Sequence, residues 1–196
     1  FGEGINKINT IIITHPQKDH FIGLTDVVKN IKVEHLVDNG ITVQNIIYQE
    51  FLYEIKKHFV NRTTILSGNK INFDNMVFLE FLSPDSDIIN SYEKGFITDL
   101  NKTSLVFRLN YKKLKILFTG DIDAEIEEKL SGKYSENIKS DILKIAHHGS
   151  STSTTDIFLD TVKPLITIIS AGKNEMALFP SKEVVFKFVK RNIKYY

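Results

Sequence analysis

Three short apolar strands, each running into residues that bind metal, restrict what this chain can fold into. Ile11-Ile12-Ile13 leads directly to Thr14-His15-Pro16-Gln17-Lys18-Asp19-His20. A run that short and that rich in β-branched residues reads as a buried strand. Ile116-Leu117-Phe118-Thr119 ends at Gly120-Asp121, and Ile142-Leu143-Lys144-Ile145-Ala146 ends at His147-His148-Gly149-Ser150. Neutral imidazole and carboxylate are common ligands for zinc, manganese and iron. In α/β folds, sites gather where strands end at their C-terminal edge. Gly120 and Gly149 carry no side chain, so backbone there can approach an ion or substrate closely.

Each arrangement has a plainer reading when taken alone. Asp121 precedes a helix and is equally its N-cap. In His147-His148 one residue faces in and the other out, and the pair itself does not say which. Ser150-Ser151-Thr152-Ser153-Thr154 leads into a helix, where hydroxyls and free N–H groups suit a phosphate. Ser153-x-x-Asp156 also resembles a capping box, so Ser153 is assigned to capping and Ser150 to phosphate contact. His35 and His58 fall inside regular elements and are read as structural or exposed. Three ligand-bearing strand ends in one chain still point to a common centre. A divalent cation held there lowers the pKa of bound water to ~7 and makes hydroxide available at neutral pH. Two ions ~3.5–4 Å apart would share a bridging carboxylate. Asp121 suits that bridge, since it lies apart in sequence from both histidine groups.

The rest of the chain narrows the class. Its 196 residues fit one domain, 1–196, with 42% hydrophobic and 25% charged residues, as in globular proteins. No apolar run approaches the ~20 residues of a membrane-spanning helix. The chain opens on Phe1, so a preceding segment is expected. Net charge is +1, which excludes a whole-molecule field for nucleic acid and makes any polyanion contact local. Cysteine is absent, leaving nitrogen and oxygen as metal ligands. Val43, Ile47, Phe51, Ile55 and Phe59 form one stripe on a helix over roughly 43–59. Strands are expected at 33–37, 63–66, 70–73 and 77–82, then a hairpin of 104–109 with 115–119. Helices follow at 25–32, 123–130 (Glu125, Glu127 and Glu128 solvated), 155–162 and 182–192, with strands at 142–146 and 165–170. Residues 86–102 read as an irregular polar loop, either a lid or a surface excursion. Mixed strands and helices make this an α/β chain with antiparallel strands in the middle.

These residues resemble the metallo-β-lactamase superfamily, whose signature loop is H-x-H-x-D-H. The nearest likeness is to its branch at the C-terminal end of ComEC-type DNA-internalisation proteins of natural competence. The likeness rests on five ordered segments: Thr14 to Leu24, Asn101 to Val106, Leu117 to Asp121, Leu143 to Ser153, and Gly172-Lys173-Asn174. It implies an αβ/βα sandwich of two mixed sheets with helices outside, with the leading strands of the fold missing from this chain. It also implies that His15, Asp19, His20, Asp121 and His147 belong to the metal site. His148 would lie close by, as a ligand or as proton donor to the leaving group. Ser150, Lys173 and Asn174 would be substrate contacts. Three departures stand out. Gln17 replaces the second His, or the Asp common in the competence branch. Phe179-Pro180 stands where His-Pro is expected, and Phe21-Ile22-Gly23 has one glycine where two are frequent.

The resulting expectation is a hydrolase using one or two zinc or manganese ions. Metal-bound hydroxide would attack a phosphodiester, with Asp19 orienting it and His148 assisting the departing oxygen. Single-stranded DNA or another phosphodiester would be the partner. One alternative is a stand-alone hydrolase of small esters or phosphoesters. The other is a degenerate module that binds nucleic acid or protein through Lys173, Lys182, Lys187, Lys190 and Arg191. The location would be extracytoplasmic in a membrane competence protein and cytoplasmic otherwise.

Overall fold

Alternating side chains on two stacked sheets organise the chain. The structure, a computed structural model, describes residues 4–172 and 179–196. In order, the elements are β1 (Lys7–Ile12), α1 (Lys18–Asn30), β2 (Lys32–Asp38), α2 (Ile46–Lys57) and β3 (Asn61–Thr64). Then come β4 (Lys70–Asn72), β5 (Val77–Ser83), α3 (Ser86–Glu93), β6 (Val106–Tyr111), β7 (Leu114–Phe118) and α4 (Ala124–Tyr134). The chain ends with β8 (Ile142–Lys144), α5 (Asp156–Val162), β9 (Ile166–Ile168), α6 (Lys182–Lys190) and β10 (Lys194–Tyr195).

One sheet has the order β1-β2-β3 and is parallel throughout; the other runs β10-β9-β8-β7-β6-β5-β4 and is mixed. Because β side chains alternate, each strand feeds two cores. Ile11 and Leu36 pack with Phe21 of α1 and Phe51 and Ile55 of α2. Ile12 and Val37, on the opposite face, meet Leu79, Phe81, Phe107 and Phe118 from the larger sheet. The outer face of that sheet, with Leu117 and Leu143, packs on α4, α5 and α6. Helices, sheet, sheet and helices thus form four layers, the αβ/βα sandwich expected. Each fully buried Phe or Leu contributes roughly 1.5–3 kcal/mol.

Several sequence expectations change for local reasons. Helix α1 begins at Lys18, not Thr25, which puts Asp19 and His20 in its first turn. Helix α2 ends at Lys57, so Phe59 leaves the apolar stripe and stands 93% exposed at φ 56°. Residues 86–102 are irregular only at 94–99: Asp85 accepts from the Ile88 N–H and caps α3, and a 3-10 turn follows at Leu100–Thr103. Glu127, read as solvated, is fully buried on the inner side of α4 beside Ile126 and Leu130. Ser153 does not cap α5; Thr155 does, accepting from the Phe158 N–H. The Ser153 hydroxyl instead donates to the carbonyls of Ala146 and Ser150.

Candidate metal centre

Both sheets end at one edge, and three chain segments meet there. The first leaves β1 through buried Ile13 and delivers His15, then Asp19 and His20 from the first turn of α1. The second leaves β7. Thr119 Oγ1 donates to the carbonyl of Lys144, and Gly120 turns the chain at φ 55°. A Cβ on Gly120 would lie 2.7 Å from the Ser104 Cβ and 3.0 Å from that of Thr14, so only glycine fits this crossing. Asp121 follows. The cap of α4 is Asp123, which accepts from the Ile126 N–H; Asp121 is therefore free of the capping role open to it in the sequence. The third segment leaves β8. His147, His148 and Gly149 have φ values of 48°, 55° and 85°, a run in the left-handed region that two non-glycine residues enter only under local constraint. The His147 N–H donates to the carbonyl of Gly120 at 3.2 Å, tying the second and third segments together.

Asp121 sits at the middle. Its Oδ2 lies 3.2 Å from the Nε2 of both His20 and His148. Asp19 Oδ2 approaches those nitrogens at 3.6 and 3.4 Å. One ligand atom from each of Asp19, His20, Asp121 and His148 lies within 4.8 Å of the others. Two donors each ~2.1 Å from one ion at tetrahedral angles would sit ~3.4 Å apart, the range of the 3.2–3.6 Å contacts that Asp121 and Asp19 make with the two histidines. Two buried atoms point the same way: His15 Nε2 and Asp121 Oδ1 have no hydrogen-bond partner. Buried polar atoms normally find one.

Hydrogen bonds orient the rings. Thr14 Oγ1 and Ser104 Oγ flank His15 Nδ1 at 3.0 and 3.2 Å. The Ser104 hydroxyl also accepts the Asp121 N–H at 3.1 Å. Ser104 thus joins a histidine to the backbone of Asp121, a role its place in Asn101 to Val106 did not disclose. His148 Nδ1 lies 2.5 Å from the Ser170 carbonyl, which fixes Nδ1 as donor and leaves Nε2 toward the carboxylates. Burial, and next the charge of His20, push the His15 pKa down to about 4, so that ring is neutral at pH 7. Burial opposes ionisation of Asp121, but hydrogen bonds from His148 and His20 outweigh it and hold the carboxyl well below its usual range. The same bond from Asp121 raises the His148 pKa.

The sequence-based site residues therefore separate. Asp19, His20, Asp121 and His148 converge, and the His15 ring lies 4.2 Å from that of His20 between centroids. His147, expected as a ligand, lies outside that group. Its Nδ1 is 3.4 Å from Thr152 Oγ1 and its ring 5.9 Å from that of Phe179. The left-handed turn aims successive side chains in different directions. Ser150 is buried, and its hydroxyl accepts the Thr152 N–H and pairs with Thr152 Oγ1. Lys173 and Asn174 lie outside the described residues.

The geometry agrees with the comparisons. A family model described as the metallo-beta-lactamase superfamily matches residues 1–173. The chain belongs to the metallo-beta-lactamase superfamily. Among curated relatives, ComE operon protein 3 of Bacillus subtilis is 28% identical over 98% of this chain and 24% of its own length. Competence protein ComA of Neisseria gonorrhoeae is 30% identical over 92% of this chain and 22% of its own length. The chain thus spans about a quarter of those relatives. Zinc-bound PqqB from Methylobacterium extorquens shares the fold with a TM-score of 0.56 and 9% identity, over 96% of this chain and 71% of that one. Metallo-beta-lactamase folds generally bind divalent metals, and the converging donor set here is a candidate for one. Among the described residues, no helix is long and apolar enough to cross a membrane.

Proposed function

We propose that this chain is a metal-dependent hydrolase of phosphodiester bonds that acts as a nuclease on single-stranded DNA. The observation that carries the reading is the convergence of Asp19, His20 and His148 on the buried carboxylate of Asp121, whose other oxygen, Oδ1, has no partner. When bound there, a zinc or manganese ion supplies a Lewis acid and lowers the pKa of its water. Asp121 anchors the set from the floor of the site, and His20 faces it from α1. Asp19, 61% exposed at its side chain, stands on the solvent side, where it can orient an attacking water. Ser104 holds His15 and the Asp121 backbone in register. The competence names of ComE operon protein 3 and ComA support DNA as the phosphodiester. On this reading the domain works at the extracytoplasmic face of a membrane competence protein.

His148 has two roles consistent with its position. As fourth donor it would present Nε2 to the ion. As proton donor it would serve the departing oxygen, which its hydrogen bond to Asp121 favours by stabilising the protonated ring. Substituting His148→Gln separates them. Loss of bound metal together with all turnover identifies the ligand. Retained metal, with cleavage of DNA lost and that of bis(p-nitrophenyl) phosphate spared, identifies the acid, since p-nitrophenolate leaves without a proton. A wild-type protein that binds neither zinc nor manganese and cleaves neither substrate would sink the hydrolase reading.

The basic face of α6 gives less support to a nucleic-acid-binding module. Arg191 is bonded to Asp156 and Asp160, and Lys187 donates to the Thr154 carbonyl. Those cations are already committed to holding α5 and its entry turn.

A further inference from the structure

Phe179 stands beside the metal centre with no part in the chemistry proposed for it. A phenyl ring offers an ion no lone pair and a leaving group no proton. Its ring centroid lies 6.4 Å from that of His148 and 5.9 Å from that of His147. His148 in turn brings Nε2 to 3.2 Å from the Asp121 carboxylate. One imidazole thus neighbours both the phenyl ring and the carboxylate at the middle of the site. Among the described residues, Phe179 is the one phenylalanine or tyrosine whose ring pairs with a histidine of the site. Its position is built by the residues that follow it. Pro180 packs against Gly149, where a Cβ would lie 2.6 Å from that of the proline. The Ser181 N–H donates to the Gly149 carbonyl at 2.9 Å, and the Ser181 hydroxyl caps α6 by accepting from the Val184 N–H. The chain just past Phe179 is therefore locked to the turn that carries His147 and His148. Held in this way, Phe179 remains 37% exposed.

Isolated apolar side chains at a surface are ordinary; a ring fixed at the edge of a polar cluster has a chemical use. It presents a π face, and nucleobases stack on such faces whatever their identity. In a nucleotide one sugar separates the base from its phosphate. A phosphate seated at the Asp121 cluster therefore brings a flanking base into the neighbourhood of His148 and Phe179. A base inside a duplex has both faces covered by its neighbours, so the ring accepts only a base that is unpaired and unstacked. We propose that Phe179 is the base platform of this centre and stacks the nucleobase next to the scissile phosphate. The proposal rests on the hydrolase reading above and specifies its substrate: a phosphodiester flanked by an unpaired nucleobase. A ring that only packs the turn predicts no preference for a base at all.

The test compares two p-nitrophenyl diesters of equal charge and identical leaving group. One is thymidine 5′-(p-nitrophenyl phosphate); the other is its abasic counterpart, in which hydrogen replaces the base. The ratio of kcat/KM for the two is taken within each protein, which cancels any change in metal loading or folded fraction. With manganese, the wild type should favour the thymidine ester on the order of 10-fold, the size of one stacked base. Phe179→Leu keeps apolar bulk and removes the π face, and should bring the ratio near one. Phe179→Tyr keeps the face and should keep the preference. A second readout is independent of turnover. Zinc-loaded protein is titrated with the methyl ester of thymidine 5′-phosphate, whose methoxide leaves poorly. The ring current of residue 179 should move the thymine methyl proton signal upfield with the wild type and Phe179→Tyr, and not with Phe179→Leu. If the wild type cleaves no diester but the upfield shift depends on the aromatic ring, the platform stands and the nuclease reading falls. If the wild type cleaves single-stranded DNA yet treats the two esters alike, or Phe179→Leu keeps the wild-type preference, the platform falls alone. A preference lost in Phe179→Tyr as fully as in Phe179→Leu, or no upfield shift with the wild type, also overturns it.

Discussion

Asp121 and Glu127 are two buried carboxylates a few residues apart, at 1% and 0% exposure, and they have opposite surroundings. Glu127 uses both oxygens: Oε1 accepts the Thr154 N–H and Oε2 the Thr155 N–H, each at 2.7 Å. Those bonds hold Thr154 at φ 58° and fix the turn that supports the histidine pair through Ser153. Asp121 faces imidazoles and leaves Oδ1 without any partner. Burial raises the Glu127 pKa, with the N–H bonds opposing it, whereas Asp121 is held low. Burial alone therefore does not mark a functional carboxylate. A carboxylate whose hydrogen-bonding capacity is filled by backbone is part of the scaffold. One left partly empty among imidazoles is positioned for something not in the chain.

The sharpest way to break this contrast is to neutralise each carboxylate and measure bound zinc or manganese. Asp121→Asn should weaken metal binding by more than the ~10–100-fold that loss of an outer partner costs. Glu127→Gln, which retains an amide oxygen as acceptor, should keep nearly full occupancy. Equal metal content in the two variants would show that the empty oxygen of Asp121 has no bearing on the ion.

What the sequence disclosed follows the same division. Patterns fixed by hydrophobic period were legible. The Phe51 and Ile55 stripe of α2 and the β6–β7 hairpin, with Phe107 paired to Phe118, stand where alternation placed them. The strand ends that gather the donors were legible too, because residue type alone marks them. Features that depend on backbone sign or on partners distant in sequence were not. Nothing in His147-His148 announces consecutive left-handed residues, and the ring that faces the carboxylates is that of His148, not that of His147, the expected ligand. Glu127 looked solvated because its neighbours Glu125 and Glu128 are acidic. Its partners, Thr154 and Thr155, arrive from a turn beyond β8 that no helical periodicity reports. Asp85 and Asp123 both cap helices, yet in the sequence Asp121 is as plausible a cap as Asp123, and Asp85 sits in a stretch that reads as irregular loop chemistry up to the start of its helix.

A second measurement sharpens the scaffold half of the contrast. Glu127→Ala strands one buried and one part-buried N–H group, at ~1–3 kcal/mol each, and should destabilise the metal-free protein by about 2–6 kcal/mol. For a chain of this size that lowers Tm by roughly 2–4 °C per kcal/mol. Glu127→Gln should fall between the alanine variant and wild type, since one oxygen still accepts. Asp121→Asn should move Tm least, because no backbone N–H depends on its side chain. A Glu127→Ala protein as stable as wild type would mean that water fills the gap and that the turn does not need the carboxylate.

The smallest effect concerns acid, where the two groups act with opposite sign. Asp121 has a folded pKa below its ordinary value of ~3.9, so its stabilising contribution is present above that value and is lost as pH falls below it. Glu127 has a folded pKa above its ordinary value of ~4.3. Its contribution is therefore greatest below that value and declines as pH rises through the raised pKa. In urea titrations of metal-free protein, Asp121→Asn should flatten the loss of stability below about pH 4. Glu127→Gln should instead steepen the loss between neutrality and about pH 4, since it removes a group that gains stability on protonation there. If both variants bend the acid limb the same way, the two carboxylates share one environment, and the separation of scaffold from site no longer holds.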